Sequence, residues 1–435
     1  MQKITAMVAL TLCAVCVQAK LADHFPKIGN EKTSAQDSVS LKTVTYLTSG
    51  QYINSSQYPH NKAWLENDKY VMFESVRPRP DGQPCTGDNS DYRRTERQLM
   101  AADVESGDIY WLGSIEVEDT VQYGSYHLSM SSMYHTDYAP GSNSVVYYDM
   151  SGHNLYMLNL NTGERKLLFN VPNGTIGDPP SITDDGTRVV IYVAHPGPDN
   201  LTLFTARTTS IVYFDINPAT NDMIGSPVTV YTYAYKKYPT ASVPNNAISL
   251  SHAVINPANK DEMSFCHGYA GYADGSVAMA RIWYLKMDGS EVRMATPTPV
   301  DHIHTHEVWS AKGKLMYFVD IKGTGGISSV DPRNGKLIKL IEGTSPRCLH
   351  ISVSEDETRV VFDTQCSDPV DANLNHLENI TLFDAVTGQL RVLARQMEGR
   401  DHPRQMHPLI TRKGDKVCFT VAEGPNSKIA VVNVD

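Results

Sequence analysis

A unit of strand, polar turn and strand recurs seven times along this chain, at residues 62–75, 136–149, 180–193, 253–266, 307–320, 351–364 and 408–421. Each unit sets a turn, such as Asp184-Asp185-Gly186 or Ala311-Lys312-Gly313, between two short runs, the second rich in Val, Tyr and Phe. Most units are followed by a third run ending in another turn, as in Asn161-Thr162-Gly163, Asp288-Gly289, Asn334-Gly335 and Thr387-Gly388. Three strands and a returning fourth make a propeller blade, and the spacing is close to the ~40 to 50 residues of one blade. Apolar residues spaced by three and four, the mark of an amphipathic helix, are scarce. The pattern predicts an all-β fold, a seven-bladed β-propeller.

The last unit is followed by one more strand-like run, residues 428–434, which leaves its blade a strand short. An isolated β-rich run at 41–48 precedes the first unit and can supply that strand. The ring is therefore expected to close by joining the two ends of the chain, leaving no exposed sheet edge. Residues 77–99 and 231–249 read as loops over one face. A length of 435 residues is long for one domain but ordinary for a propeller, so residues 20–435 are expected to fold as a single unit.

Residues 1–19 read as a secretory signal: Lys3, a mostly apolar run at 6–17, and Val17-Gln18-Ala19 ahead of Lys20. That run is too short to span a bilayer, and no later stretch approaches ~20 apolar residues, so a secreted or periplasmic protein without a membrane span is expected. Cys13 and Cys16 fall in the signal. Cys85, Cys266, Cys348, Cys366 and Cys418 are odd in number and dispersed, which argues for at least one free thiol or metal ligand and against a disulfide framework. A net charge of −10 argues against nucleic acid as partner. It leaves an anionic sugar open if positive charge is gathered at one site, and Tyr, present 23 times, both stacks on sugars and donates a hydrogen bond.

The histidines stand in register with the repeats. His135, His252, His306, His350 and His407 each precede the first strand of a unit, and His60 lies one residue further out. Antiparallel geometry puts the start of the first strand, the end of the second and the start of the third on one face. His153, Tyr192, His195, Cys266 and His267 fall at or past second-strand ends, Arg207 near a third-strand start, and His302, His304 and His402 just ahead of first strands. A single such histidine is ordinarily structural, and repeat ancestry can copy it. The added Tyr, Arg and Cys at different blades are not explained by copying, and they point to one functional mouth.

The ordered motifs Ser264-Phe265-Cys266-His267-Gly268, Arg281-Ile282-Trp283, Asp288-Gly289-Ser290 and His306-Glu307-Val308-Trp309, followed by Cys348-Leu349-His350 and Cys366-Ser367-Asp368-Pro369-Val370-Asp371-Ala372, resemble the core of the oligogalacturonate lyases. The resemblance covers about the last 190 residues. It implies a seven-bladed propeller with a divalent metal held near the axis by histidines and a glutamine. His306 matches the ligand ahead of the family's Glu. The family's Gln-x-x-His-x-His run falls on His402-Pro403-Arg404-Gln405-Met406-His407, where His407 keeps its type, His402 replaces Gln and Gln405 replaces His. His350 is a reserve ligand. This permuted set leaves Mn, Zn and Ca open, with zinc favoured if Cys266 or Cys348 joins. His252 matches the family's proposed general base, and Arg207 lies near its carboxylate-binding arginine. An export signal and longer front loops depart from that family's usual pattern. Secreted ulvan lyases share the architecture, and His135, His153, Tyr192 and Arg207 resemble their catalytic quartet in order and spacing.

Both resemblances imply β-elimination beside a uronate, in which a cation neutralises the carboxylate, a base removes the adjacent carbon-bound proton and an acid protonates the departing oxygen. Arg207 suits the first role, His135 or His252 the second and Tyr192 the third, with His153 orienting a partner or binding sugar. No Gly-x-Ser-x-Gly elbow, phosphate loop or dinucleotide fingerprint is present, and no Asp or Glu stands at the repeated mouth positions, which disfavours paired-carboxylate hydrolysis. The leading expectation is a polysaccharide lyase of ulvan type. An oligogalacturonate lyase using His252 and a metal, and a non-catalytic binding platform, are the alternatives.

Overall fold

The computed structural model describes residues 20–85, 96–116, 135–171, 174–195, 208–234, 250–267, 282–296, 304–320, 325–343, 347–365, 370, 375–399 and 403–435. The expected signal segment, Arg207, His302 and His402 lie outside these residues. No helix among them is long and apolar enough to cross a membrane.

Among the described residues the strands form seven antiparallel sheets. A regular blade is the second, with Thr136–Ala139 innermost, then Ser144–Tyr148, Asn154–Asn159 and Arg165–Asn170 at the rim. The fourth, fifth and sixth blades repeat this order from Leu250–Ile255, His304–Trp309 and Arg347–Val353 outward. In the first and third blades the inner strand is broken into two short pieces, Asn54–Ser55 with Trp64–Leu65 and Thr175–Ile176 with Ser181–Ile182. The blades stack through their apolar faces. Tyr70, Met72 and Leu99 of the first pack on Tyr138, Val145 and Tyr147 of the second, so the core is a set of interblade layers.

The seventh blade consists of Leu409–Ile410, Lys416–Glu423 and Asn426–Asn433, completed by Thr43–Tyr46 from the N-terminal side, with Val44 opposite Val432. The expected closure is what the chain does. It also adds two rim strands that the repeat pattern did not announce, Thr33–Gln36 on the seventh blade and Lys27–Asn30 on the first. Leu409, Ile429 and Val431 then pack on Val71, Phe73 and Met100 of the first blade. Val44 is fully buried in this closure. Val44→Asp places an uncompensated charge there and should lower stability by about 3–5 kcal/mol in denaturant unfolding, whereas the exposed Val386→Asp should leave it unchanged.

Two loop expectations are corrected. Residues 96–99 belong to the strand Glu96–Asp103, and residues 231–234 to Asp222–Ala234. Glu96, Arg97 and Gln98 are polar yet buried, which made a central strand read as a surface loop.

Innermost strands line an axial cavity of about 120 Å³ bounded by Trp64, Val254, Trp309, Ser352 and Leu409. The histidines at the starts of those strands form the layer above it.

Candidate functional site

Tyr58 fills the axis at this layer, 8 % exposed. Its ring centroid lies 4.7 Å from His60, 5.5 Å from His252, 6.1 Å from His306, 6.2 Å from His350 and 5.2 Å from His407. His306 and His350 stack at 4.3 Å, and His350 meets His407 edge-on at 4.2 Å. Five imidazoles from five blades thus gather at the level that the repeat register gives them. Tyr58 at their centre stands outside the repeated units and carries no motif.

The backbone that presents these rings is unusual. His252, His306 and His407 have φ of 47°, 53° and 43°, left-handed values that a non-glycine residue adopts at a cost of roughly 1–3 kcal/mol. Strand pairing slips between Ser251 and Val254, between Thr305 and Val308, and between Cys348 and Ile351. The bulge breaks strict alternation, so His304 and His306 do not share a role. His304 packs its ring on Phe318, 4.5 Å away, while His306 reaches the axis.

Carboxylates, which do not occupy the repeated mouth positions, anchor the histidine backbones from nearby segments. Backbone N–H groups of His135, His252 and His350 donate to Glu74 at 2.9 Å, Asp178 at 2.8 Å and Asp363 at 2.6 Å, and that of His407 also bonds Asp363. Side chains are held too. His350 Nδ1 pairs with Asp363 Oδ2 at 2.8 Å, and His306 Nδ1–H donates to the Leu349 carbonyl. His252 Nδ1 lies 3.3 Å from Glu307 Oε1 and 3.5 Å from Cys266 Sγ, whose thiol donates to the same Oε1 at 2.8 Å. These carboxylates escaped the sequence reading because Glu74 and Asp363 sit on second strands, Asp178 in the break of the third blade's inner strand and Glu307 beside a histidine, none at the repeated position.

Burial pulls the His60 and His350 imidazoles down to about 3, so both are neutral near pH 7. Burial alone would also lower His252, but Cys266 and then Glu307 beside its ring outweigh that and hold it well above the ordinary imidazole range. Behind the ring, burial pushes Asp363 up to about 8 and, helped by Asp363, raises Glu398 well above a normal carboxyl.

The histidines fit a divalent ion. A metal-ligating imidazole must be neutral and gives its second nitrogen to a carboxylate or carbonyl, which sets the ring's orientation. His306 has Nδ1 committed in that way, directing Nε2 to coordination, and His350 turns its Nδ1 to Asp363. His407 is buried beside them, and half-buried Gln405 lies two residues away on the same approach to the seventh blade. Cys348 is fully buried in the apolar layer with Val319 and Ile351, a packing role. Cys418 is a free thiol.

The ulvan-type quartet is not gathered in this way. His135 is set back between the first two blades, 0 % exposed, with Nδ1 on Glu74 Oε2 at 2.9 Å. His153 precedes the third strand of its blade and turns Nδ1 to the Val171 carbonyl at the rim, 3.3 Å away. Tyr192 lies in the apolar layer with Val190, Leu250 and Phe265, its ring against Gly177. Arg207 lies outside the described residues.

Fold and site together define a ring-closed, seven-bladed propeller with a histidine-lined axial mouth. The sequence profile of the oligogalacturonate lyases matches residues 130–422. Similar proteins include the oligogalacturonate lyase of Dickeya dadantii, 25% identical over 291 residues (63% of this chain, 71% of that protein), and the oligogalacturonide lyase of Pectobacterium atrosepticum, 24% identical over 294 residues (64% and 72%). Similar solved structures include an oligogalacturonate lyase in complex with manganese, with TM-score 0.70 and 17% identity over 95% of this chain and 98% of that one. Another is the oligogalacturonate lyase of Vibrio parahaemolyticus, with TM-score 0.70 and 18% identity over 95% and 99%. The chain belongs to the oligogalacturonate lyase family, enzymes that are carbon–oxygen lyases acting on polysaccharides. Of the two substrate expectations, these relatives stand on the pectin-fragment side.

Proposed function

We propose that this protein, exported by its N-terminal signal, cleaves oligogalacturonates by β-elimination, with His252 as the base. The observation that carries this reading is the placing of His252 in the same axial layer as the metal-competent imidazoles of His306, His350 and His407, with its Nδ1 backed by Glu307. Nδ1 held by a carboxylate leaves Nε2 as the nitrogen that takes the proton. His252 removes the proton from the carbon beside the carboxylate, the electron pair forms the carbon–carbon double bond, and the glycosidic C–O bond breaks as the departing oxygen takes up a proton. His306, His350, His407 and Gln405, with His402, would hold a divalent ion of the manganese type. When bound, it supplies positive charge that stabilises the carboxylate as the neighbouring carbon loses its proton. Arg207 is assigned the complementary fork on the carboxylate.

The test is incubation with tri- and tetragalacturonate, polygalacturonate and ulvan, following the ultraviolet absorbance of the unsaturated product. Fast product formation from the short galacturonates is expected, and activity on ulvan alone would overturn the substrate assignment.

The raised His252 pKa sets the pH dependence. Because the base form exists only above that pKa, kcat/KM should climb with pH along a limb above the ordinary imidazole value of about 6.5. Glu307→Gln removes one of the groups raising it, so the limb should move towards acid in a pH–rate profile. An unmoved limb would show that Glu307 does not act on the base.

A further inference from the structure

One constellation at the same mouth is used by none of these steps. Arg97, near the start of the first blade's third strand, is 3 % exposed, and His135, at the start of the second blade, is 0 % exposed. Both address one oxygen of Glu74: His135 Nδ1 at 2.9 Å, and an Arg97 terminal nitrogen at 3.7 Å, beyond hydrogen-bond length. Arg97 Nε and His135 Nε2 are shielded from solvent and have no hydrogen-bond partner among the described residues. A guanidinium offers five N–H donors, and one carboxylate at ion-pair distance leaves most of that capacity unused. Buried polar groups are rarely left so, and the exceptions call for a ligand, an ion or a water.

We propose that Arg97 and His135 form a subsite for a uronate unit adjoining the one that is cleaved. Arg97 receives that unit's carboxylate, and His135 Nε2 accepts a hydrogen bond from a ring hydroxyl. Identification of the ligand as a uronate rests on the lyase reading; the site rests on the two unpartnered nitrogens. The donor sense agrees: with Nδ1–H given to Glu74, His135 Nε2 is the nitrogen left to accept from a hydroxyl, while Arg97 has only donors and matches an anion. The site adjoins the axial one through Tyr148. Its ring lies 4.9 Å from His135, and its hydroxyl, raised well above its ordinary pKa first by burial, is raised further by Asp178 and Glu74. Asp178 holds the His252 backbone and Glu74 holds His135. An oligouronate carries one carboxylate per unit, and each one buried needs its own cation.

The test is calorimetric binding of trigalacturonate and of its methyl ester to the full chain, with His252→Ala as parent to prevent turnover. Arg97→Ala should weaken binding of the free acid about 30-fold and leave the methyl ester within about twofold, because only the acid presents the anion. His135→Gln should weaken both about fivefold through the lost hydroxyl contact. Arg97→Lys keeps the charge without the fork and should fall between; it and His135→Gln carry the test if the alanine variant's circular dichroism melt shows it unfolded. Acid binding unchanged in the folded Arg97 variants would mean that these nitrogens hold water only, and would overturn the subsite. Turnover by the unmodified protein separates the readings. Cleavage with no Arg97 effect removes the subsite and keeps the lyase; Arg97-dependent binding without cleavage does the reverse; neither binding nor cleavage removes both.

Discussion

Replacing His252 by alanine should lower kcat on oligogalacturonate by about 10³-fold or more while the thermal melt stays within a few degrees of the unmodified protein. His252 is 12% exposed at its side chain and touches the axial cluster rather than an apolar layer, so its removal costs little packing. Alanine keeps the Cβ that makes its left-handed φ of 47° costly, so the backbone bulge stays held by Asp178 and the strand pairing. The loss should fall on kcat, because a base acts in the transition state and hardly at all in ground-state binding. Wild-type kcat in His252→Ala, measured by initial rates of unsaturated product, would remove His252 from the chemistry and return the choice of base to His135.

A second large effect is expected from His407→Ala. The unmodified protein should carry about one divalent ion per chain after gentle purification, and the variant close to none, with activity reduced about 10³-fold and restored only partly by excess manganese. His407 is buried, and its ring stands edge-on to His350 at 4.2 Å, so it cannot be lost without opening the imidazole cluster. Elemental analysis of dialysed samples, with His407→Gln as the variant that keeps volume and one donor, separates lost coordination from lost packing. Undiminished metal in both variants would exclude His407 as a ligand. Histidines that bind as neutral rings also make occupancy fall as the pH is lowered, since protons compete for Nε2.

Much of the architecture was readable in one dimension because a propeller is a repeat. The strand–turn–strand wording at 136–149 or 307–320 is local, each blade needs only its neighbours, and the edge left by the incomplete seventh unit demanded a strand that residues 41–48 could supply. The same logic located the histidine layer, because antiparallel strands return to the same face at every blade. It failed where local pattern and burial part company. Glu96, Arg97 and Gln98 look like loop residues and lie in a central strand. His302, His304 and His306 look equivalent, but a bulge turns His306 to the axis and leaves His304 on Phe318. His153 and Tyr192 have the right spacing for a catalytic quartet, yet one faces the rim and the other an apolar layer.

Period and composition, carried in the order of residues, determined the blade number, the ring closure and the level at which His252, His306, His350 and His407 stand. Which side chains touch was decided only in three dimensions: Tyr58 at the centre of five imidazoles, Glu307 against His252, Asp363 under His350 and His407, and Glu74 between Arg97 and His135. The physical reason is range. Strand periodicity acts between residues a few positions apart, whereas these contacts join different strands and most of them different blades, so they exist only once the chain has folded its blades around one axis.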